Sequence, residues 1–252
     1  MYKWLLLLMV FPALAADLQR EERWANQVID AILVGEPVWL ASGDHEFLAI
    51  FTEAESETPR GAVILVHGVG VHPDWPEVIN PLRERLPEHG WATLSLQMPV
   101  LKADAEIDEY FPVFPESLPR FDAGMQFLKD KGFKTIVIAG HSLGSQMAAY
   151  RIAQAGDTGL DGFIAIGMSG RKREGHGSTL DYLENITVPT LDIFGEHDLD
   201  TVSTSRMARA SAAKRAGNSA YVQVEVAEAD HMFQGYDEPL VEEVVKWLGE
   251  IP

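Results

Sequence analysis

Thr135-Ile136-Val137-Ile138-Ala139-Gly140-His141-Ser142-Leu143-Gly144-Ser145-Gln146-Met147-Ala148-Ala149 reads as strand, turn and helix in one short stretch. The run from Thr135 to Ala139 is apolar and largely β-branched with no polar face, which suits a strand covered by helices on both sides of a parallel sheet. Gly140 and Gly144 stand two residues either side of Ser142. A turn sharp enough to pass from strand to helix there would make side chains at both positions clash, so both want glycine. Ser142 is lifted off the sheet edge, and the helix behind it aims backbone N–H groups at any negative charge that develops beside the hydroxyl.

Working outward, apolar runs of strand length alternate with helical stretches. The strands are expected at Ala62 to Val66, Ala92 to Leu96, Thr135 to Ala139, Gly162 to Gly167, Thr190 to Phe194 and Tyr221 to Val226. Helices are expected at Pro76 to Leu86, Arg120 to Lys131, Gln146 to Gln154, Thr179 to Asn185, Thr201 to Ala216 and Glu238 to Leu248. Such alternation predicts an α/β fold with a mostly parallel central sheet and helices on both faces. Ahead of it, Asp17 to Leu33 reads as an amphipathic helix. Two short strands, Val38 to Leu40 and Glu46 to Phe51, then flank the turn Ser42-Gly43-Asp44. Two stretches break the rhythm as loops at the C-terminal edge of the sheet, where open α/β sheets bind ligands. They are Pro99 to Pro119 and Gly170 to Gly177.

A serine nucleophile needs a base and an acid that orients the base. Behind a strand–turn–helix serine the acid and then the histidine follow in chain order. The strand from Thr190 runs into Gly195-Glu196-His197-Asp198, and the last strand is followed by Ala229-Asp230-His231. Asp198 and His231 thus each stand just past a strand's C-terminal end. Asp192 and Asp200 are the rival acids; His176 and His197 are the rival bases. At the end of the first long strand, Val66-His67-Gly68-Val69-Gly70 forms a glycine-rich turn whose N–H groups can face the serine.

Together, His67-Gly68-Val69-Gly70, Gly140-His141-Ser142-Leu143-Gly144, Gly195-Glu196-His197-Asp198 and Asp230-His231 resemble the α/β-hydrolase superfamily from about Ala62 to the C-terminus. His67 through Asp74-Trp75-Pro76 to Gly90-Trp91 is also similar to uncharacterised α/β-hydrolase-like proteins of the bacterial envelope. The resemblance implies a catalytic triad of Ser142, Asp198 and His231. It also implies an oxyanion hole made by the backbone N–H groups of Val69 and Leu143. Larger members insert a helical cap in the segment corresponding to Gly167–Pro189. That segment is short here, which implies a minimal cap.

The N-terminus carries one positive charge at Lys3, then an apolar run from Trp4 to Leu14 with the small-x-small site Ala13-Leu14-Ala15. This is the layout of a secretory signal peptide, and the run is shorter than the roughly 20 residues of a spanning helix. Residues 1–15 are therefore expected to be a signal and 16–252 the hydrolase domain, exported to the periplasm or medium. Removing the signal leaves 19 basic and 38 acidic residues, a net charge of −19. That field disfavours nucleic acid and anionic surfaces.

The chain has no cysteine, so disulfides, thiolate metal sites and a cysteine nucleophile are excluded. Glu196, His197, Asp198 and Asp200 are ligand types without a second cluster at ligand spacing, so no metal and no cofactor is expected. Arg171-Lys172-Arg173 is either a solvated loop or a seat for an anionic group. Tyr110, Phe111 and Phe114 either form a cleft mouth or pack inward and pin their loop.

These features lead to a serine hydrolase acting on a small-molecule ester or related acyl bond. The competing readings are a non-catalytic envelope binding protein that keeps the fold, and a serine peptidase on the same scaffold. Export is checked by intact mass of the protein recovered from the producing cells: the mature chain should begin at Ala16, within a residue or so. A chain retaining residues 1–15 and fractionating with membranes would contradict it.

Overall fold

The computed structural model describes residues 16–156, 159–170, 172–173 and 177–251. The predicted signal, Arg171 and His176 lie outside the described residues, and of Lys172 and Arg173 only the backbone is described.

In chain order the elements begin with α1 (Leu18–Ile29), the hairpin β1 (Glu36–Ser42) and β2 (His45–Thr52), and β3 (Gly61–Val66). Next come α2 (Ile79–Arg85), β4 (Trp91–Leu96), α3 (Phe114–Asp130), β5 (Ile136–His141), α4 (Leu143–Ala155) and β6 (Gly162–Ile166). The small hairpin β7 (Lys172–Arg173) and β8 (Gly177–Ser178) precedes α5 (Thr179–Leu183) and β9 (Thr190–His197). The chain closes with α6 (Asp200–Ser203), α7 (Arg206–Arg215), β10 (Tyr221–Asp230) and α8 (Asp237–Leu248). Eight strands form one sheet in the order β1-β2-β4-β3-β5-β6-β9-β10. The pairs β1–β2 and β2–β4 are antiparallel, and every later pair is parallel.

Strand β3 explains why the central runs are apolar on both sides. Ala62, Ile64 and Val66 enter one core with residues of α3 and α4, while Val63 and Leu65 enter the other with α2 and α8. Each face of the sheet is thus sealed by helices. A smaller cluster docks α1 on the edge hairpin through Ala25 and Val28 against Leu48 and Ile50. No helix among the described residues is long and apolar enough to cross a membrane.

Two expectations are corrected and one open alternative is decided. Pro99–Pro119 is not a plain loop: a 3₁₀ turn spans Ile107–Val113 and α3 already starts at Phe114. Glu106 and Glu109 cap that turn reciprocally, and Pro115 occupies the first turn of α3, where a missing N–H costs nothing. Pro119 is carried inside the helix. Within this segment Tyr110, Phe111 and Phe114 are 1%, 7% and 2% exposed, so they pack inward and do not form a cleft mouth. Lastly, the single helix expected over Thr201–Ala216 is two, α6 and α7, broken at Thr204-Ser205.

Asp192, in the middle of β9, pairs with Arg209 of α7 at 2.7 Å, both side chains fully buried. Tyr221 and Gln223 of β10 also donate to the Asp192 carboxylate. This network bolts α7 and β10 to β9. Arg209→Met should leave the carboxylate buried without its cation and cost about 3–5 kcal/mol. Urea unfolding would show it as a lowered midpoint with an unchanged slope.

Candidate active site

Ser142 sits at the junction of β5 and α4 with φ 54° and ψ −118°, a conformation few non-glycine residues adopt. The packing around it explains both flanking glycines. A Cβ on Gly140 would stand 2.6 Å from the backbone of Gly144, and one on Gly144 would overlap the carbonyls of Val66 and His67 at the end of β3. The start of α4 is therefore pressed against the neighbouring strand, and Ser142 stands at its N-terminus.

His231 follows β10, whose register slips against β9 between Val226 and Asp230. The Asp230 carboxylate accepts from the N–H groups of Met232 and Gln234 and so holds the turn that carries the imidazole. His231 Nε2 lies 2.9 Å from Ser142 Oγ, and Nδ1 lies 2.6 Å from Asp198 Oδ1. Since a carboxylate only accepts, Nδ1 carries the proton and Nε2 is free to accept from the serine hydroxyl. Asp198 is buried just past β9, and its carboxylate also accepts from the N–H groups of Leu199 and Gly195 at 2.7 and 3.3 Å.

The rivals are placed elsewhere. Asp192 is committed to Arg209, and Asp200 is exposed at the start of α6. His197 is exposed and faces Glu228 at 3.4 Å. With Glu196 these two form an open group of ligand-type side chains, to which Glu228 was not assigned from sequence. Asp198 is turned away from that group toward His231.

Leu143 is the first residue of α4, and Val69 lies in the turn after β3. Among the described residues no protein acceptor takes the N–H of either. A Cβ on Gly68 would stand 3.5 Å from Ser142 Cβ, so the turn passes directly beside the serine.

Two further histidines shape the surroundings. His67 is fully buried; its Nε2 accepts from the Met98 N–H at 2.9 Å, and its Nδ1 therefore donates to the Gly68 carbonyl at 2.9 Å. Burial lowers its pKa to about 3. His141 donates from Nε2 to the His231 carbonyl at 2.9 Å, and its ring lies 5.0 Å from the His231 ring. Burial, with the neighbouring His231 adding to it, lowers the His141 pKa to about 4. Both are neutral at pH 7. Gly167 (φ 58°) is a contributor missed from sequence: a Cβ there would lie 2.9 Å from His231 Cε1, in the space the imidazole needs. Its place at the end of a strand was readable, but not its nearness to a residue 64 positions later.

The cleft over Ser142 and His231 holds about 200 Å³ and is lined by Ile107, Gln146, Leu199 and Val202 among others. A larger hollow of about 410 Å³ lies between α1 and the β1–β2 hairpin and does not reach Ser142.

Residues 12–113 and 115–250 match the model of a family described as protein of unknown function (DUF3530). No curated protein matches the chain. Among solved structures the chain is similar to Est1E from Butyrivibrio proteoclasticus, at 18% identity over 86% of this chain and 98% of that one, with a TM-score of 0.65. It is similar to an esterase from Pyrococcus furiosus at 17% identity, covering 86% of this chain and 91% of that one, with a TM-score of 0.68. A dienelactone hydrolase from Anabaena variabilis matches at 18% identity over 86% and 97% of the two chains, with a TM-score of 0.66. These likenesses establish the α/β-hydrolase fold. With nearly its whole length matched by the family model, the chain belongs to the DUF3530 family of proteins of unknown function.

Proposed function

We propose that the chain is an exported serine hydrolase that cleaves an ester or related acyl bond of a small neutral substrate. The observation that carries this reading is the unbroken relay Asp198–His231–Ser142, at 2.6 and 2.9 Å, opening into a cleft at the N-terminus of α4. His231 Nε2 takes the Ser142 proton as Oγ attacks the acyl carbon. The Val69 and Leu143 N–H groups receive the charge that forms on the acyl oxygen. His231 then passes the proton to the leaving alcohol, and water repeats the sequence on the acyl-enzyme. Asp198 holds the imidazole in the required tautomer throughout. Carboxylates on Asp104, Glu106 and Asp108 are exposed on the segment that carries Ile107 and repel anionic acyl groups. The fold neighbour from Pyrococcus furiosus that is named an esterase agrees with an ester substrate, and Est1E was determined with ferulic acid bound.

Fluorophosphonate labelling of the purified protein tests the class without knowledge of the substrate: the wild type should label and Ser142→Ala should not. Absence of labelling in the wild type would overturn the reading in favour of a binding protein.

With an ester substrate, Ser142→Ala or His231→Ala should each lower kcat by about 10⁴- to 10⁶-fold, and Asp198→Asn by less, because the three act as a unit. A crippling Asp200→Asn beside a mild Asp198→Asn would show that the acid is misassigned.

The small cleft, walled by Ile107, Leu199 and Val202, should favour short acyl chains. Along an acyl-length series, kcat/KM should peak at p-nitrophenyl acetate or butyrate. A maximum at long chains would contradict the proposed substrate class.

A further inference from the structure

We propose that α1, the helix outside the two main cores, positions the oxyanion turn through Arg20 and Glu21, which hold the His67–Gly70 segment from its two ends. Arg20 acts directly. Its guanidinium donates to the Gly70 carbonyl at 2.9 Å and to the Leu101 carbonyl at 2.6 Å, and it lies 4.4 Å from the Trp24 ring of its own helix. Gly70 adjoins Val69, so this fork fixes one end of the turn.

Glu21 acts through a chain of buried groups. It is 6% exposed and meets Arg120 of α3 with both oxygens, at 2.7 and 3.1 Å. Arg120 donates to the Gln97 carbonyl at 3.0 Å, and the Val100 N–H donates to Glu21 at 3.3 Å. The segment that Glu21 and Arg120 hold in this way carries the Met98 N–H that binds His67 Nε2. His67 Nδ1–H in turn holds the Gly68 carbonyl. In a trans peptide the carbonyl and the next N–H point in opposite directions. Holding the Gly68 oxygen against the His67 ring therefore turns the Val69 N–H away from that ring, while Gly68 itself lies against Ser142.

An N–H donor contributes to the reaction only if it stands where the oxyanion forms, and a small misplacement forfeits much of its effect. A carbonyl-binding fork on the residue next to that donor is the means by which α1 sets its place. These polar contacts are separate from α1's apolar docking, which rests on Ala25 and Val28.

This inference rests on the serine-hydrolase reading, and its test separates the two. Steady-state kinetics on p-nitrophenyl acetate and the affinity for phenylboronic acid, which mimics the tetrahedral intermediate on Ser142, are measured for the wild type, Arg20→Ala and Arg20→Lys. An inactive wild type overturns both proposals. With an active wild type, Arg20→Ala should keep KM within about twofold, lower kcat by about 10- to 100-fold and weaken the boronate by a similar factor, short of the about 10²- to 10³-fold of losing a donor outright. Arg20→Lys, which keeps the charge but replaces the planar two-nitrogen fork with a single ammonium, should recover part of both quantities. Should Arg20→Ala not fold, the parallel fall of kcat and boronate affinity in Arg20→Lys carries the test alone. Unchanged kcat, or a fall in kcat with boronate affinity intact, would overturn the positioning role and leave the hydrolase reading standing.

Discussion

The placement of Ser142 depends on one steric constraint, the closeness with which the first turn of α4 is pressed against the end of β3. No side chain fits at Gly140 or Gly144, and the chain can pass from strand to helix only by putting Ser142 at φ 54°. Non-glycine residues hold such a conformation only when the surroundings over-determine it, at a cost of about 1–3 kcal/mol. Here the surroundings are β3 and β6, with the Ser142 N–H bonded to the Ile166 carbonyl at 2.8 Å. The strain places a hydroxyl on a helix N-terminus without a flexible loop beneath it. It also brings the turn after β3 alongside, with Gly68 directly beside the serine.

The other half of the relay is built on a second close approach, between β9 and β10. Gly195 leaves no room for a Cβ against Ala229, and at that point the strand register slips. The slip lets Asp198 and His231, carried on adjacent strands, turn toward each other beyond the sheet edge. Three aspartates near β9 show how position divides their roles. Asp192, within the sheet, is consumed by Arg209; Asp198, just past the edge, meets His231; Asp200 opens α6 in solvent. Chemically the three are the same residue, and a few residues of chain decide which is paired for structure and which faces a base.

The sheet, the strand–turn–helix at Ser142 and the placement of Asp198 and His231 just past two strand ends were legible in the sequence because each rests on local rules. An apolar run such as Thr135 to Ala139 reports coverage on both faces by itself, and the two glycines report the turn by themselves. What was not legible depends on chain segments far apart. Glu21 and Arg120 are 99 positions apart and Arg20 and Gly70 are 50 apart, with no spacing rule to join them. The stretch Pro99–Pro119 was misread for a different reason. Its prolines signal a break, but Pro115 falls in the first turn of a helix, where proline is tolerated. Its aromatics could face either way until the partners were known. Phe114, 5.7 Å from Tyr150 of α4, faces the core.

Three histidines crowd around Ser142, and burial assigns them different work. His67 and His141 are enclosed and held neutral, each spending a ring N–H on a backbone carbonyl, Gly68 in one case and His231 in the other. Neither ring is hydrogen-bonded to a carboxylate, and the pull of the Asp198 charge toward a second proton on His141 is outweighed by burial. Of the three, only His231 has a carboxylate at one ring nitrogen and a hydroxyl at the other. In the proposed reaction a positive charge on the His231 imidazole would face the Asp198 carboxylate, whereas on the other two rings it would be opposed by desolvation. The two buried rings are still tied to the Asp198–His231–Ser142 relay, since one holds the Gly68 carbonyl beside Ser142 and the other the backbone of His231 itself. One imidazole is thus left bonded to both a carboxylate and a hydroxyl while two are bonded to backbone, and burial is the property that separates them.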